Sequence, residues 1–443
     1  MVEKSRLIFS LPGAPAALGL GLALFLAPWP GGSVRPAAFH LLGLLVAAAA
    51  AGLSGPGRNP LPKTALPFLA ALVLLAAWAL VQMIPLPAHW LTWLSPSAFR
   101  LYHRAATVTG SPLAWLPLSL APALTQEEWV KLSTLALAFA ATAQVAAEPR
   151  LRLALATVLL LTASLVAVLG LAEKAGGFLF GLVPERHHVG PAIGPFANRN
   201  HFADFIAAPA FFGLGLVPGR APAWRVLRIS ALMLLGLGLL ASGSRAGLVA
   251  ATGGALFYLF SSGSIKAGKA KIAAAAAMAL FLAAFFADAP SAWLIGLKQD
   301  FLAVRWPIWN SAFLVIGDFP WTGAGAGSFG IVEPAYSQLH LPVPALHAHC
   351  DYLEWLAEWG APASAAAALG FGLGFLKLGQ RRRQWDPIAR AAAAGLVILF
   401  SHALAEFSLH IPAVALEAAL LLGLAVSDPR AKSPQHQEVR ASC

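Results

Sequence analysis

Polar chemistry in this chain is concentrated between Arg305 and Gly360, an aromatic, Gly/Pro-rich island in an otherwise apolar sequence. The island holds Arg305, Asp318-Phe319-Pro320, the glycine run Gly323 to Gly327, Tyr336, and His347-Ala348-His349-Cys350-Asp351-Tyr352-Leu353-Glu354. Upstream, Arg199, Asn200 and His201 crowd the mouth of an apolar segment, and Arg245 lies in Ser242-Gly243-Ser244-Arg245-Ala246-Gly247. Guanidinium forks suit phosphate oxygens, because they are planar, bidentate and always charged. A neutral histidine can take a proton from a hydroxyl near pH 7. These groups suit a transfer in which arginine holds a phosphate leaving group and histidine activates a hydroxyl nucleophile.

The elements that must position them are membrane helices. The chain has 443 residues and mean hydropathy +0.72, with 58% hydrophobic and 11% charged residues, against roughly 25% charged in soluble domains. Apolar runs recur along nearly its whole length, each long enough to cross a hydrocarbon core of about 30 Å as a helix. The sequence predicts an all-α polytopic membrane protein with about twelve transmembrane helices, near 13–29, 37–54, 65–84, 129–147, 152–172, 201–217, 226–242, 246–262, 271–288, 356–376, 388–405 and 410–426. The first run lacks a small-residue cleavage site and reads as a span, not a removed signal peptide. No solenoid repeat or low-complexity linker divides the chain, so residues 1–443 read as one integral domain. Two long connections interrupt the pattern, at 85–128 and 289–355, the second between spans nine and ten.

Charge sets the expected orientation. With the N-terminus in the cytoplasm, twenty of the 30 Lys and Arg fall on that side, among them Arg150, Arg152, Lys377, Arg381, Arg382, Arg383 and Arg390. This is the positive-inside pattern, and an even number of spans returns the C-terminus to the cytoplasm as well. Both long connections then face outward. The net charge of +11 is spread over short cytoplasmic loops, where it orients the protein and contacts membrane lipids, which argues against nucleic acid as a partner. Cys350 and Cys443 are predicted on opposite sides of the membrane and cannot pair. Arg199, Arg245 and Arg305 remain on the outer side, where the sorting rule disfavours cations. Arg245, hemmed in by small residues, reads as a ligand-binding group. ATP is scarce outside the cell, so the energy for a transfer there must arrive in the substrate, as it does in lipid-linked diphosphate sugars.

Several groups carry two readings. His347 and His349 have the spacing of a metal pair, but no third and fourth ligand follows, and no metal is expected. The Gly323 to Gly327 run follows Pro320 with no strand before it and reads as a tight turn, not a nucleotide loop. Asp351 and Glu354 orient His349, or Glu354 and Glu358 form a solvated helix face. Arg199, Asn200 and His201 bind glycan or diphosphate, or cap the following helix. His402, Glu406 and His410, at i, i+4 and i+8, line a substrate path or form a polar patch between helices. The connection at 85–128, with Trp90, Trp93 and Trp115, has the aromatic content of an outer interfacial segment.

The ordered blocks Gly194-Pro195-Phe196-Ala197-Asn198-Arg199-Asn200-His201-Phe202-Ala203, Ser242 to Gly247, Arg305-Trp306-Pro307-Ile308-Trp309, Gly317 to Gly325 with Ser328-Phe329, and His349 to Glu354 with Glu358-Trp359-Gly360 carry a resemblance. Over residues 190–360 the chain resembles the O-antigen ligase/polymerase family, bacterial membrane glycosyltransferases that move a glycan from undecaprenyl diphosphate to an acceptor. The resemblance implies a GT-C-like fold in the inner membrane, with catalysis on the periplasmic loop at 289–355. It places the diphosphate on Arg245 and Arg305 and the acceptor's proton on His349. Arg199, Asn200, His201, His347, Asp351 and Glu354 become substrate-binding candidates. It also implies inversion at the anomeric centre, no metal and no other cofactor. Cys350 stands where the family usually carries Asn or a similar polar residue. The acceptor is left open between lipid A core, another glycan chain and a protein Ser/Thr. A transporter or flippase of an anionic lipid-linked substrate is the alternative from another class.

Overall fold

A computed structural model describes residues 11–53, 59–176, 191–216, 222–261, 304–337 and 344–427. The expected span at 271–288, the first part of the second long connection and Cys443 lie outside the described residues. Helices α1 (Ala14–Leu26), α2 (Pro36–Ala51) and α3 (Leu66–Met83) come first. A two-residue ribbon, β1 (Leu86–Pro87) with β2 (Trp115–Leu116), then encloses α4 (Ala88–Leu94) and α5 (Pro96–Thr109). Next come α6 (Pro122–Val145), α7 (Pro149–Lys174), α8 (Arg199–Ala207), a 3-10 turn (Ala208–Phe211) and α9 (Phe212–Gly215). They are followed by α10 (Pro222–Ser242), α11 (Arg245–Ser261), α12 (Trp306–Asp318) and α13 (Phe329–Val332). The described chain closes with α14 (Asp351–Gln380), α15 (Pro387–His402) and α16 (Pro412–Val426).

Local sequence explains many of these boundaries. Proline opens α2, α5, α6, α7, α10, α15 and α16, where its missing N–H costs nothing and its fixed φ already suits a helix. Four described helices are long and apolar enough to cross a membrane: α3, α7, α10 and α14. Helices α1, α2, α15 and α16 are shorter but equally apolar. The expected span at 201–217 is broken into three pieces. Pro209 explains the break, because it has no N–H to donate and its ring crowds the carbonyl four residues earlier.

The helices pack through aromatic rings set against small residues, as lipid-embedded bundles do. Phe68 meets Phe139, Phe371 and Phe375 edge-on at centroid distances of 6.1, 5.8 and 5.0 Å. It fits because Gly374 offers no side chain: a Cβ there would lie 2.5 Å from the ring. At one end, buried Arg152 reaches Asp386 at 3.0 Å and the Ser427 hydroxyl, tying α7 to α15 and α16.

At the other end the two long connections fold together. Leu91, Ala98, Leu116 and Leu118 from the first share a core with Ile308, Val315, Phe319, Phe329 and Ala348 from the second. The segment at 85–128 therefore has a packed interior that it shares with the second connection.

One helix break holds this layer on the bundle. Gly360 in α14 has φ 75° and ψ 165°, and Pro362 has no amide hydrogen. The carbonyls of Ala357 and Glu358 are thus freed from the helix ladder. They accept instead from Ala324 N (2.9 Å) and Gly325 N (3.1 Å), while Ala361 N donates to Pro320 O (2.7 Å). Buried Gln82 completes the joint. Its Nε2 donates to Thr322 O and Glu358 O, both at 2.8 Å, and its Oε1 accepts from Ala326 N at 3.0 Å. The glycine run spends these amides on protein acceptors, so they are not available to cradle a phosphate.

A Cβ on Gly323 (φ 67°) would overlap the Glu358 carbonyl, whereas one on Gly317 would meet nothing within 4 Å. Gly323→Ala is therefore expected to lower stability by about 3 kcal/mol or more. Gly317→Ala is expected to lie within about 0.5 kcal/mol of wild type. Thermal unfolding of the two variants in detergent checks the contrast.

Candidate active site

The groups singled out by sequence meet on a residue outside the island. Glu406 lies in the turn between α15 and α16, its side chain 0% exposed. Its Oε1 accepts from His349 Nδ1 at 2.9 Å and from Phe407 N at 3.2 Å. Its Oε2 accepts from Arg305 Nη2 at 3.2 Å and from Asn200 Nδ2. Arg305 also donates through Nη1 to the Ala405 carbonyl. One carboxylate thus joins the start of α8, the residue before α12, the irregular segment before α14 and the α15–α16 turn.

The α10–α11 turn joins through Asn200. Ser244 Oγ donates to Asn200 Oδ1 at 2.7 Å and accepts from Gly247 N at 3.1 Å. Capping of α8 falls to Asn198, whose side chain accepts from Asn200 N at 2.8 Å, which leaves the Asn200 side chain free to bridge Ser244 and Glu406. Arg245 opens α11 and is exposed, as is Arg199 at the start of α8. The structure therefore brings Arg305, His349 and Asn200 together, with the turn that carries Arg245 beside them.

A carboxylate can only accept, so His349 Nδ1 carries a proton toward Glu406; in the neutral imidazole that leaves the lone pair on Nε2. His349 is 29% exposed and Arg305 20% exposed, so both reach solvent while Glu406 does not. Burial alone would raise the Glu406 carboxyl. The hydrogen bond from His349 and the charges of His349, His201 and Arg305 overcome that and hold it well below the ordinary carboxylate range. His349 has φ 51°, a left-handed conformation costing a non-glycine residue on the order of 1–3 kcal/mol. Neighbouring bonds hold it there. Ala348 N donates to Glu354 Oε2 at 2.7 Å, and Asp351 N donates to Ala403 O and Glu406 O at 3.0 and 3.1 Å.

The other candidates sit behind this front. His347 directs Nδ1 to Glu354 Oε1 at 2.7 Å and stacks on Phe407 at 4.1 Å. His349 and buried His201 meet the same ring edge-on, at 5.0 and 4.7 Å. Asp351 accepts from His410 Nδ1 and from Leu409 N at 3.0 Å, and Glu354 lies 3.4 Å from His410 Nε2. Asp351, Glu354 and His201 are buried, so they shape the site from within and do not line its mouth. The solvated-face reading of Glu354 and Glu358 is corrected: both are 1% exposed, and Glu358 accepts from Phe329 N at 2.9 Å.

His402, Glu406 and His410 do not share one helical face. Helix α15 ends at His402, and a turn and a 3-10 segment follow. Each residue consequently finds a different partner: Asp204, His349 with Arg305, and Asp351. No group of three His, Cys, Asp or Glu residues among those described is placed to hold a metal ion. Cys350 is buried, and burial raises its thiol, so it is a packing residue and not a nucleophile.

Sequence reasoning placed Glu406 only in a stripe with His402 and His410 and did not join it to His349, Arg305 and Asn200. Its signal was an acidic side chain at the end of an apolar helix, but its partners lie 57, 101 and 206 residues away.

Residues 230–367 match the family model described as O-antigen ligase. The match is a similarity over 138 of the chain's 443 residues. No curated protein matches the chain. Arg245, Arg305, His347 and His349 fall inside the O-antigen ligase segment, whereas Asn200 and Glu406 lie outside it and complete the site from either side.

The depressed Glu406 carboxyl stabilises the fold. Its folded-state value lies below its unfolded one, so the contribution is complete above the ordinary carboxylate range and is lost as pH falls toward the folded value. Glu406→Gln is expected to unfold at lower temperature than wild type at pH 7, with the gap narrowing as pH falls below about 4. Thermal unfolding from pH 7 to 3.5 checks this; a constant gap contradicts it.

Proposed function

We propose that this protein transfers a glycan from undecaprenyl diphosphate to an acceptor hydroxyl at the periplasmic face of the inner membrane, with both termini in the cytoplasm. The observation carrying the reading is the Glu406 carboxylate, which holds a histidine with a free Nε2 and an arginine on one side of the site. In this reading His349 Nε2 removes the acceptor's hydroxyl proton as that oxygen attacks the anomeric carbon. The new carbon–oxygen bond forms as the bond to the diphosphate breaks on the opposite face, inverting the centre. Arg305 and Arg245 receive the negative charge that accumulates on the departing diphosphate, which is the work a metal ion would otherwise do. Glu406 stabilises the imidazolium that forms on His349 and fixes its ring, as a carboxylate does behind other histidine bases.

Arg199 and Asn200 then flank the donor. His201, His347, Asp351 and Glu354 hold the ring of Phe407 and the loop carrying His349. The acceptor is lipid A core in a ligase, a second glycan in a polymerase and a Ser/Thr hydroxyl in a protein oligosaccharyltransferase. The break between α8 and α9 favours a second reading, since transporters bind anionic substrates at interrupted helices. There the arginines bind the lipid-linked substrate and no bond changes.

An assay in detergent with EDTA separates these readings. Undecaprenyl-diphosphate oligosaccharide serves as donor, with lipid A core, excess donor or a Ser/Thr-rich periplasmic protein as acceptor. Product with one acceptor is expected, falling at least about 100-fold in His349→Ala, the scale of general-base catalysis, with comparable losses in Arg245→Ala and Arg305→Ala. No product with any acceptor, and donor binding that survives His349→Ala, would leave only the transporter.

A further inference from the structure

Beside the Glu406 cluster a second polar contact joins α8 to the end of α15, the helix that leads into the Glu406 turn. His402 Nδ1 and Asp204 Oδ1 lie 2.7 Å apart, with both side chains 0% exposed. Asp204 is four residues after Asn200 on α8, and His402 is four residues before Glu406. Along α8 the two contacts therefore follow one another one helical turn apart; the first is met from the turn that follows α15 and the second from the last residue of α15. A third point of contact lies beyond them. Ala208 presses its carbonyl against Gly395 of α15, where a Cβ would approach it to 2.6 Å. Asn200–Glu406, Asp204–His402 and Ala208–Gly395 thus run in order along one seam.

The middle rung is an expensive way to hold helices together. Asp204 Oδ2 and His402 Nε2 have no hydrogen-bond partner among the described residues. Two apolar side chains would pack the same space without the desolvation cost of a polar pair that is only partly satisfied. What a hydrogen bond supplies, and a greasy contact does not, is direction and register. A slide of one residue would carry α8 about 1.5 Å along α15, enough to take Asn200 out of hydrogen-bonding range of Glu406. The Asn200 amide is also the link from Glu406 to Ser244 and the turn that carries Arg245.

We propose that Asp204 and His402 are positioning residues for the transfer site: their bond sets the register of α8 on α15, by which Asn200 meets Glu406 and Glu406 in turn aims His349 and Arg305. The inference rests on the glycosyl-transfer reading above. It predicts that losing the bond slows turnover without weakening donor binding, and that the loss is routed through Glu406.

A double-mutant cycle on the full-length protein tests it, with undecaprenyl-diphosphate oligosaccharide as donor and the acceptor that supports wild-type turnover. Asp204→Ala is expected to lower kcat on the order of 10- to 100-fold, as when groups that orient a reacting residue are removed, with donor KM changed less than about threefold. Asp204→Asn keeps an oxygen for His402 Nδ1–H and is expected to recover most of the rate. In a Glu406→Gln background, Asp204→Ala is expected to cost less than about twofold, because the shared path is already broken. His402→Phe keeps the ring's bulk and replaces Asp204→Ala in the cycle should the latter not fold. Losses that multiply in the double variant, or kcat within about twofold of wild type in the single one, would overturn the positioning role and leave glycosyl transfer intact. A wild-type protein that turns over no acceptor would instead remove the transfer reading and this inference with it.

Discussion

A buried carboxylate must be met by positive or polar groups, and in this protein that requirement organises one end of the bundle. Glu406 lies out of solvent at the end of an apolar helix, where an unpaired charge would cost several kcal/mol. His349, Arg305, Asn200 and the Phe407 amide meet it from four directions. Each arrives on a different element, so satisfying one charge fixes the relative placement of α8, α12, α14 and the α15–α16 turn. The same contacts leave His349 Nε2 and the outer edge of Arg305 facing the mouth. Stability and chemistry share one set of bonds.

Support for that cluster comes in layers. Phe407 carries three imidazole rings on its faces and edges. Asp351 and Glu354 hold His410 and His347 and pin the backbone that strains His349 into a left-handed conformation. Farther out, the Gly360 break in α14 gives up helix hydrogen bonds so that the glycine run can dock on it. The outer layer then presents Arg305 and His349 from the ends of one folded unit, even though 43 residues separate them in the chain.

Much of this was legible in the sequence. Apolar run length foretold most of the described helices, and the polar island that begins at Arg305 supplies two of the side chains that meet Glu406. The blocks carrying Arg245, Arg305 and His349 pointed to the family that the segment at 230–367 matches. What periodicity could not show was where a helix stops. A stripe of His402, Glu406 and His410 has helical spacing, but α15 ends at His402 and the three residues part company. Nor does hydropathy separate a buried acid from a solvated one, so Glu354 and Glu358 read as a wet face. Partners 57 to 206 residues apart are set by packing, and a single sequence does not display packing.

The central claim is that Glu406 holds His349 with its proton on Nδ1 and its lone pair on Nε2. Nitrogen-15 NMR of protein labelled at histidine reads this directly, with the His349 signals assigned by their loss in His349→Gln. At pH 8 the account predicts a protonated Nδ1 and an unprotonated Nε2, with that pattern relaxing toward a tautomer mixture in Glu406→Ala. A proton on Nε2 in the wild-type protein, or a spectrum indifferent to Glu406, would contradict it.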